Sequence, residues 1–574
     1  MHVAEKPSVK IGFDQFRAVS GAEILLIGDS PTKEDIKQGE CFSSGGAKLI
    51  AAELAKLGIN YAQCNKAVCV DYWPSGGDAM NCIVEKVTLA KKMGAIKYGE
   101  AYIPERTREG FEALRLFIAE TRPKLIISFG SLSLYALTGH ISISAWRGSQ
   151  LIFEQDGFKC NYLPTFNPTA ISKKHSWGVH FRRDLQRAFS QSDFTEPEFD
   201  FLLGGNFAQY KQKLEQLCQS LDDALQAGHT VKVSVDIETR RSRYITVCGL
   251  ATSARSAFVI PFTSMERANY FTVEEECEIA ILLKRVLEHK AIDIIGQNFQ
   301  YDFQYFAANY GIKPTFKYDT MIMAHAIWTK SLELGLSFLA SMYCSWYRYW
   351  KDDGKQAHEG NFKEKSQELA YWRYNGYDCC YTYEVAEGLI AHWEENETDT
   401  RKELMAFQRK MQNKVLKPVL KGLRFDKAAQ NKAKAELQTL AAQYEAWFEY
   451  MIPNSLCEKN GESPWWNSPQ KLSHLLFEQW GLPPVRDKKT GSYTTGGDAP
   501  KQIGKAEPLL ALVMKKLDEY RSIQQFLKLY CNWIPSPDGN IRTQYMLGGT
   551  DTFRLASKID AFGEGANLQN VTKG

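Results

Sequence analysis

The sequence predicts a multidomain α/β protein whose last third is mostly helical. Three observations predict this. The chain has 574 residues, too many for one hydrophobic core, so three or four domains are expected. Up to about residue 395, short apolar runs such as ILLIG, LIISF, VSVDI and AIDIIG recur between segments of helical periodicity. From about residue 396 onward the helical spacing dominates.

The elements follow in order. In the first block, residues 1–195, AEILLIGDS reads as a strand ending in a polar loop, and Ala47 to Leu57 is amphipathic. KLIISFG reads as a buried strand, and SLSLYALTG as a short helix closed by its Gly. SQSDFTEPEFD, at 190–200, reads as a linker. The second block, 200–395, opens with a helix and a strand and becomes helical. The third, 396–574, contains NSPQKLSHLLFEQWGLPP, a helix with clear punctuation. Ser468 is its N-cap, Pro469 its first residue, Gly481 its stop, and Pro483 bars extension.

Composition excludes several classes. A content of 44% hydrophobic and 24% charged residues is ordinary for a soluble protein. No run of about 18 apolar residues appears, so no membrane span or membrane partner is expected. The start, MHVAEKPSVKIGF, lacks the apolar core of a signal peptide, which predicts a cytoplasmic protein. The 13 cysteines are scattered and read as reduced thiols. Residues 401–574 hold 26 Lys and Arg against 17 Asp and Glu, a surplus of 9 in a chain of net charge +3. That leaves the first 400 residues at −6. A basic final third suits phosphate binding, and equally suits a solvated helical surface.

The chemistry-bearing residues lie in the second block. On the strand VSVDIET, Val233, Val235 and Ile237 face the core, and Ser234, Asp236 and Glu238 share the other face. Two carboxylates two residues apart can bind one hard cation. The run AIDIIGQN ends at Asn298, and Asp302 follows four residues later, on the same face if a helix begins there. Tyr374 and Asp378 repeat that spacing in YNGYD. Each piece alone is common on protein surfaces; the ordered set is not. It resembles the proofreading 3′–5′ exonuclease domains of DNA polymerases, over residues 200–395, with Asp319 and Thr382 fitting the same pattern. The resemblance implies an RNase H-like fold and two Mg²⁺ (or Mn²⁺) ions about 4 Å apart. Asp236, Glu238 and Asp378 would hold the first ion and Asp236 would bridge to the second. Asp302 would act mainly through water, Tyr374 would orient the attacking water, and Asn298 would meet DNA. Oxygen ligands suit magnesium rather than zinc.

The third block resembles the thumb of a family A DNA polymerase. The carrying segments are VLKPVLKGLRFD, WNSPQKLSHLLFEQWGLPP with KTGSYTTG, LDEYRSIQQFLKLY, GGTDTFRLAS and ANLQNV. The match implies that Arg554, Asn567 and Gln569 contact the primer–template duplex. After Arg554 only Asp560 and Glu564 are acidic, so the carboxylates of a polymerase palm are not expected in this chain. A split polymerase whose second polypeptide supplies palm and fingers, an interrupted gene and a trimmed chain all fit that expectation.

Residues from about 20 to 190 resemble the uracil-DNA glycosylase superfamily, nearest its iron–sulfur branch. GDSPTKEDIKQGECFSSGGAKLI, CNKAVC, RPKLIISFGSLSLYALTG with WRGS, and LPTFNPTAI carry the likeness. It implies an α/β/α sandwich that flips a base from the stack. Asp29 would lie near the sugar, Phe42 would stack on the base and Asn65 would read its edge. Asn167 stands where the family has a His. An amide cannot become a cation, so glycosylase activity is expected to be weak or lost. Cys69 and Cys82 sit near two cluster positions, and no cysteine precedes Gly28, so an iron–sulfur cluster is not expected.

The combination resembles the front part of large phage polymerases. It implies DNA replication in a bacterial host cytoplasm, with primer–template and single-stranded 3′ ends as partners. Two other classes compete with it: a free-standing repair nuclease with a glycosylase-like targeting domain, and a non-catalytic DNA-binding accessory subunit.

Overall fold

The computed structural model describes residues 13–172, 174–240, 242–265, 269–329, 331–353, 364–396, 398–459, 461–487 and 491–570. The opening MHVAEKPSVKIG, Lys489 and Thr490 of KTGSYTTG, and the last Val of ANLQNV lie outside them. The chain divides into two compact units, 1–413 with 547–554, and 414–546 with 555–574.

The first unit holds two six-stranded sheets. The first is built from β1 (Phe16–Arg17), β2 (Ile24–Gly28), β3 (Asn65–Val68), β4 (Leu125–Phe129), β5 (Leu151–Gln155) and β6 (Phe158–Thr165), in the order β1-β3-β2-β4-β6-β5. The central four are parallel and the two edges antiparallel. Leu25, Leu26 and Ile27 are fully buried, as are Ile126 and Ile127, because helices cover both faces of a parallel sheet. The helix after β4 spans Ser131–Thr138 and ends at Gly139, φ 79°, as its sequence predicts.

The second sheet comprises β7 (Asp200–Leu203), β8 (Val231–Arg240), β9 (Tyr244–Ala251), β10 (Ser256–Pro261), β11 (Ile292–Gly296) and β12 (Tyr318–Asp319). Its order is β12-β11-β8-β9-β10-β7. The second block therefore opens on a strand, β7, ahead of the expected helix. FDFLL is too short to show a period, and its place is set by parallel pairing with β10. The helix that follows, Phe207–Ala227, starts at a capping box in which Asn206 and Gln209 satisfy each other's backbone N–H groups. A long helix, Lys365–Glu395, crosses the sheet and buries Tyr371, Trp372, Cys379, Val385 and Leu389.

In the second unit, helices Lys427–Met451 and Ala511–Leu529 pack around Phe448, Trp465, Leu475, Leu517 and Tyr520. Ser468 accepts the Lys471 N–H and Pro469 begins the helix; the chain then widens into a π turn over His474–Gln479 and passes Gly481 at φ 67°. Helices supply most of the regular structure of that unit. Two short strand pairs, Leu423–Arg424 with Asn540–Ile541 and Gln544–Met546 with Ala556–Lys558, complete it.

Candidate active site

Strand β8 carries Asp236 and Glu238. Between Glu238 and Thr239 the register with β9 shifts, a bulge of the kind that re-aims side chains at strand ends. Directly across from Asp236 lies Gly249. A Cβ there would sit 2.3 Å from Asn375 Oδ1 and 2.6 Å from Cys379 Sγ. Only glycine lets helix Lys365–Glu395 press this close to the sheet, and that approach brings Asp378 to the strand.

Ligand oxygens of Asp236, Glu238 and Asp378 all lie within 4.8 Å of one another. Asp236 Oδ2 accepts from Asn375 Nδ2 at 2.8 Å. Asp378 is buried; its Oδ1 accepts from Trp350 Nε1 at 2.7 Å, and Lys351 Nζ donates to both its oxygens at 2.8 Å. The same ammonium lies 2.9 Å from Tyr374 Oη. Asp302 does not join the three. It sits in the first turn of helix Gln300–Tyr310, where its Oδ1 accepts from the Ile237 N–H at 3.0 Å, gripping the strand between Asp236 and Glu238.

Asn298 is not on that helix. Its φ is 55°, and the helix begins two residues later behind Phe299, so the shared-face reading of Asn298 and Asp302 is corrected. Asp319 explains the turn. Its carboxylate accepts the Asn298 and Phe299 N–H groups at 3.1 and 2.9 Å and caps helix Thr320–Trp328 through the Met321 and Ile322 N–H groups. Four backbone donors on one buried carboxylate fix the corner from which Asp302 departs. Thr382 is buried, and its Oγ1 has no hydrogen-bond partner among the described residues.

Burial and then mutual repulsion govern the electrostatics. Asp236 is raised by burial and by Asp378, and lowered less by Lys351 and Asn375. Glu238 is raised by burial, Asp236 and Asp378, and Asp302 by burial and Asp236. Burial, and after it Asp378, Glu238 and Asp236, push the Tyr374 phenol upward. Three carboxylates held together with one ammonium leave excess negative charge in a low-dielectric site. Hard oxygen donors of this kind fit Mg²⁺ or Mn²⁺.

Sequence reasoning missed Lys351, Trp350 and Asn375. Asn375 lies inside the YNGYD motif, one helical turn before Asp378, and that spacing could have flagged it. Nothing in YRYWKDD marks Lys351.

In the first sheet, Gly28, Asp29, Phe42, Val68, Phe129 and Asn167 line a cavity of about 50 Å³. Asp29 accepts from the Ser133 N–H at 2.8 Å and from Asn167 Nδ2 at 3.4 Å, and burial raises its carboxyl to about 6. Gly130, at φ 119°, is required beside it, since a Cβ there would overlap the Asp29 carboxylate. Phe42 holds a left-handed backbone, φ 60°. Asn65 is not brought here, which corrects its reading as a pocket residue. It is buried at the start of β3, and its Oδ1 accepts from the Val19 N–H at 2.7 Å, holding the segment between β1 and β2. Cys69 and Cys82 are buried free thiols.

Arg554 closes a turn in which its backbone N–H donates to Thr550 Oγ1 at 3.0 Å; residues 547–554 group with the first unit. Asn567 and Gln569 belong to the second. Asn567 Oδ1 accepts from Ser557 Oγ at 2.6 Å, and Gln569 Oε1 accepts from the Ser557 N–H at 2.9 Å. Both amides therefore hold the strand Ala556–Lys558.

With this geometry in view, residues 206–394 match the protein family described as 3′-5′ exonuclease. The carboxylate cluster thus lies in a 3′–5′ exonuclease domain. The chain as a whole is a homologue of DNA polymerases. It is 21% identical to the DNA polymerase of Bacillus phage SP01 over 619 aligned residues, covering 93% of this chain and 62% of that protein. It is 33% identical to DNA polymerase I of Streptococcus pneumoniae over 153 residues, 24% of this chain and 16% of that one. The chain thus spans less than two thirds of the length of these curated relatives. Among solved structures, the POL domain of Pol1 from M. smegmatis in complex with DNA primer-template and dNTP aligns at 18% identity and a TM-score of 0.42. The alignment covers 59% of this chain and 52% of that one, and likeness at that level defines no shared fold. Among the described residues no helix is long and apolar enough to cross a membrane.

Proposed function

We propose that this chain is the N-terminal portion of a family A DNA polymerase acting in DNA replication, and that its own chemistry is Mg²⁺-dependent 3′–5′ proofreading. The observation that carries the reading is the convergence of Asp236, Glu238 and Asp378 oxygens within 4.8 Å inside a domain that matches exonucleases. Asp236, Glu238 and Asp378 would hold divalent cations, with Asp302 acting through water, and the ions would supply charge stabilisation to the attacking and leaving oxygens. Asn375 keeps Asp236 turned toward the cluster, and Trp350 does the same for Asp378. Asp302 fixes the strand backbone. The Tyr374 hydroxyl, kept protonated by its surroundings, can donate to or orient a water at the 3′-terminal phosphate. Asp236→Ala should abolish Mg²⁺-dependent release of mononucleotides from single-stranded DNA; normal degradation by that variant would refute the site.

The rest of the reading concerns partners and place. Arg554, Asn567, Gln569 and Asn298 are proposed to meet DNA, the two amides partly by shaping the strand they hold. Palm and fingers would come from a second polypeptide, in the cytoplasm of an infected bacterium. Co-purification with such a polypeptide, and restored nucleotide incorporation on mixing, test this. The N-terminal α/β layer is read as a glycosylase-like relic. A space of about 50 Å³ has room for one or two waters rather than a flipped base, and Asn167 cannot supply a cation. Excision of uracil by the full chain would overturn that reading.

A further inference from the structure

A strap of chain, Cys344–Lys351, runs from the N-terminal layer to the carboxylate cluster. At its first end Arg187 donates to the Ser341 and Cys344 carbonyls at 2.7 and 3.0 Å. In its middle, the Gln150 N–H donates to the Tyr347 carbonyl at 2.7 Å, and the Tyr347 N–H donates back to Gln150 Oε1 at 3.1 Å. The Tyr349 N–H donates to Ser149 Oγ at 3.1 Å. Residues of the N-terminal layer therefore hold the strap by its backbone. The next two residues are Trp350 and Lys351, both bonded to Asp378. Tyr347 and Trp350 are each 1% exposed, so the strap has little room to slide.

Lys351 takes both Asp378 oxygens, and those are lone pairs a hard cation at the cluster would use. Its ammonium also lies over the rings of Trp350 and Tyr374, at 5.2 and 4.8 Å from their centroids. Yet its side chain is 28% exposed, against 3% for Asp378, so a route to solvent exists without disturbing Trp350. An ammonium and a divalent ion within about 4 Å repel strongly at such a site. We propose that Lys351 is the resident counterion of the exonuclease cluster, held in register by the N-terminal layer, and that a divalent cation must displace it from Asp378. The proposal rests on the reading of the cluster as a metal site. It makes Lys351 a positioning residue: it keeps the three carboxylates together before metal arrives, and it weakens apparent metal affinity because the competent state excludes it.

The test is a Mn²⁺ titration of the full chain, followed by water proton relaxation and by melting temperature with and without metal. Lys351→Gln removes the charge and keeps a donor. It should bind Mn²⁺ at least tenfold more tightly than wild type, melt lower in EDTA, and recover with Mn²⁺. Equal or weaker Mn²⁺ affinity in Lys351→Gln overturns the proposal. If that variant folds poorly without metal, Lys351→Arg serves instead: it keeps the charge and should bind Mn²⁺ no more tightly than wild type, and a tenfold gain there overturns the proposal too. Gln150→Ala should shift Mn²⁺ affinity in the same direction as Lys351→Gln by a smaller factor; no shift removes the role given to the N-terminal layer. Asp378→Asn separates the underlying reading: Mn²⁺ binding that survives it unchanged would mean the cluster is not the metal site at all.

Discussion

Asp236→Asn should make the metal-free protein more stable while destroying its nuclease. The side chain keeps its shape, and its Oδ1 can still accept from Asn375 Nδ2, so the change removes charge and little else. Asp236 feels two like charges, Glu238 and Asp378, within 4.8 Å, and one opposite charge, Lys351. A pair of unit charges at that distance interacts by about 3.5 kcal/mol at an effective dielectric of about 20. Burial and then Asp378 push the Asp236 carboxyl up to about 8, so the comparison is made at about pH 9, where it is ionised; there two repulsions against one attraction leave one in surplus, and partial exposure reduces it to about 2 kcal/mol. At about 2.1 cal/mol/K per residue over some 400 residues, that is a rise in melting temperature of about 2–3 °C. The assay is thermal unfolding in EDTA and in Mg²⁺. Wild type should melt below the variant in EDTA and gain on adding Mg²⁺, because only a site that binds the ion is stabilised by it. The variant should gain little. If wild type melts at or above Asp236→Asn in EDTA, and Mg²⁺ raises both equally, the three carboxylates do not form a shared cation site.

Three more outcomes are expected. Gly249→Ala would put a methyl group 2.3 Å from Asn375 Oδ1 and 2.6 Å from Cys379 Sγ, so the helix bearing Asp378 must retreat. Nuclease activity should fall by about 100-fold with a stability cost of about 1–3 kcal/mol, measured by single-turnover cleavage and denaturant unfolding. Asp29→Asn should stabilise the protein above pH 6. Burial raises the Asp29 carboxyl from 3.8 to about 6, so the folded state binds the extra proton between those values and stability falls as pH rises through them. Removing the ionisable group should therefore gain up to about 3 kcal/mol at pH 8 and nothing below pH 4, measured by unfolding at the two pH values. DNA affinity, finally, should drop at least about tenfold between 50 and 200 mM salt if the basic final third neutralises two or more phosphates, measured by fluorescence anisotropy.

The carboxylates of the site were legible as an ordered set of short motifs, each of them weak alone. Strand alternation gave the shared face of Asp236 and Glu238, and the four-residue step gave Tyr374 with Asp378 on one helix. What was not legible depends on tertiary contact. The strand Asp200–Leu203 exists through pairing with Ser256–Pro261 and has no pattern of its own. Asn298 reads as part of a helix until Asp319, twenty-one residues away, takes its N–H and turns the chain. Asn65 matches a motif, yet its amide is committed to the Val19 backbone. Lys351 lies in an aromatic stretch without periodicity, and only the fold shows that its ammonium reaches Asp378.

These contacts also bear on how the two halves of the first unit depend on each other. Arg147 joins Asp184 of the N-terminal layer to Ser341 of the exonuclease segment, with Arg147 Nη1 2.8 Å from Ser341 Oγ. Asp184 in turn accepts from Thr165 Oγ1 at 2.6 Å, and Arg147 and Asp184 are both almost fully buried. Breaking one partner of a buried pair leaves the other charge stranded, at a cost of about 3–5 kcal/mol. A relic pocket would tolerate drift in the layer that surrounds it, but this pair, Arg187 and the Gln150 clamp would not. The N-terminal layer can therefore lose base chemistry and still be indispensable, because the backbone that carries Trp350 and Lys351 to Asp378 is anchored on it.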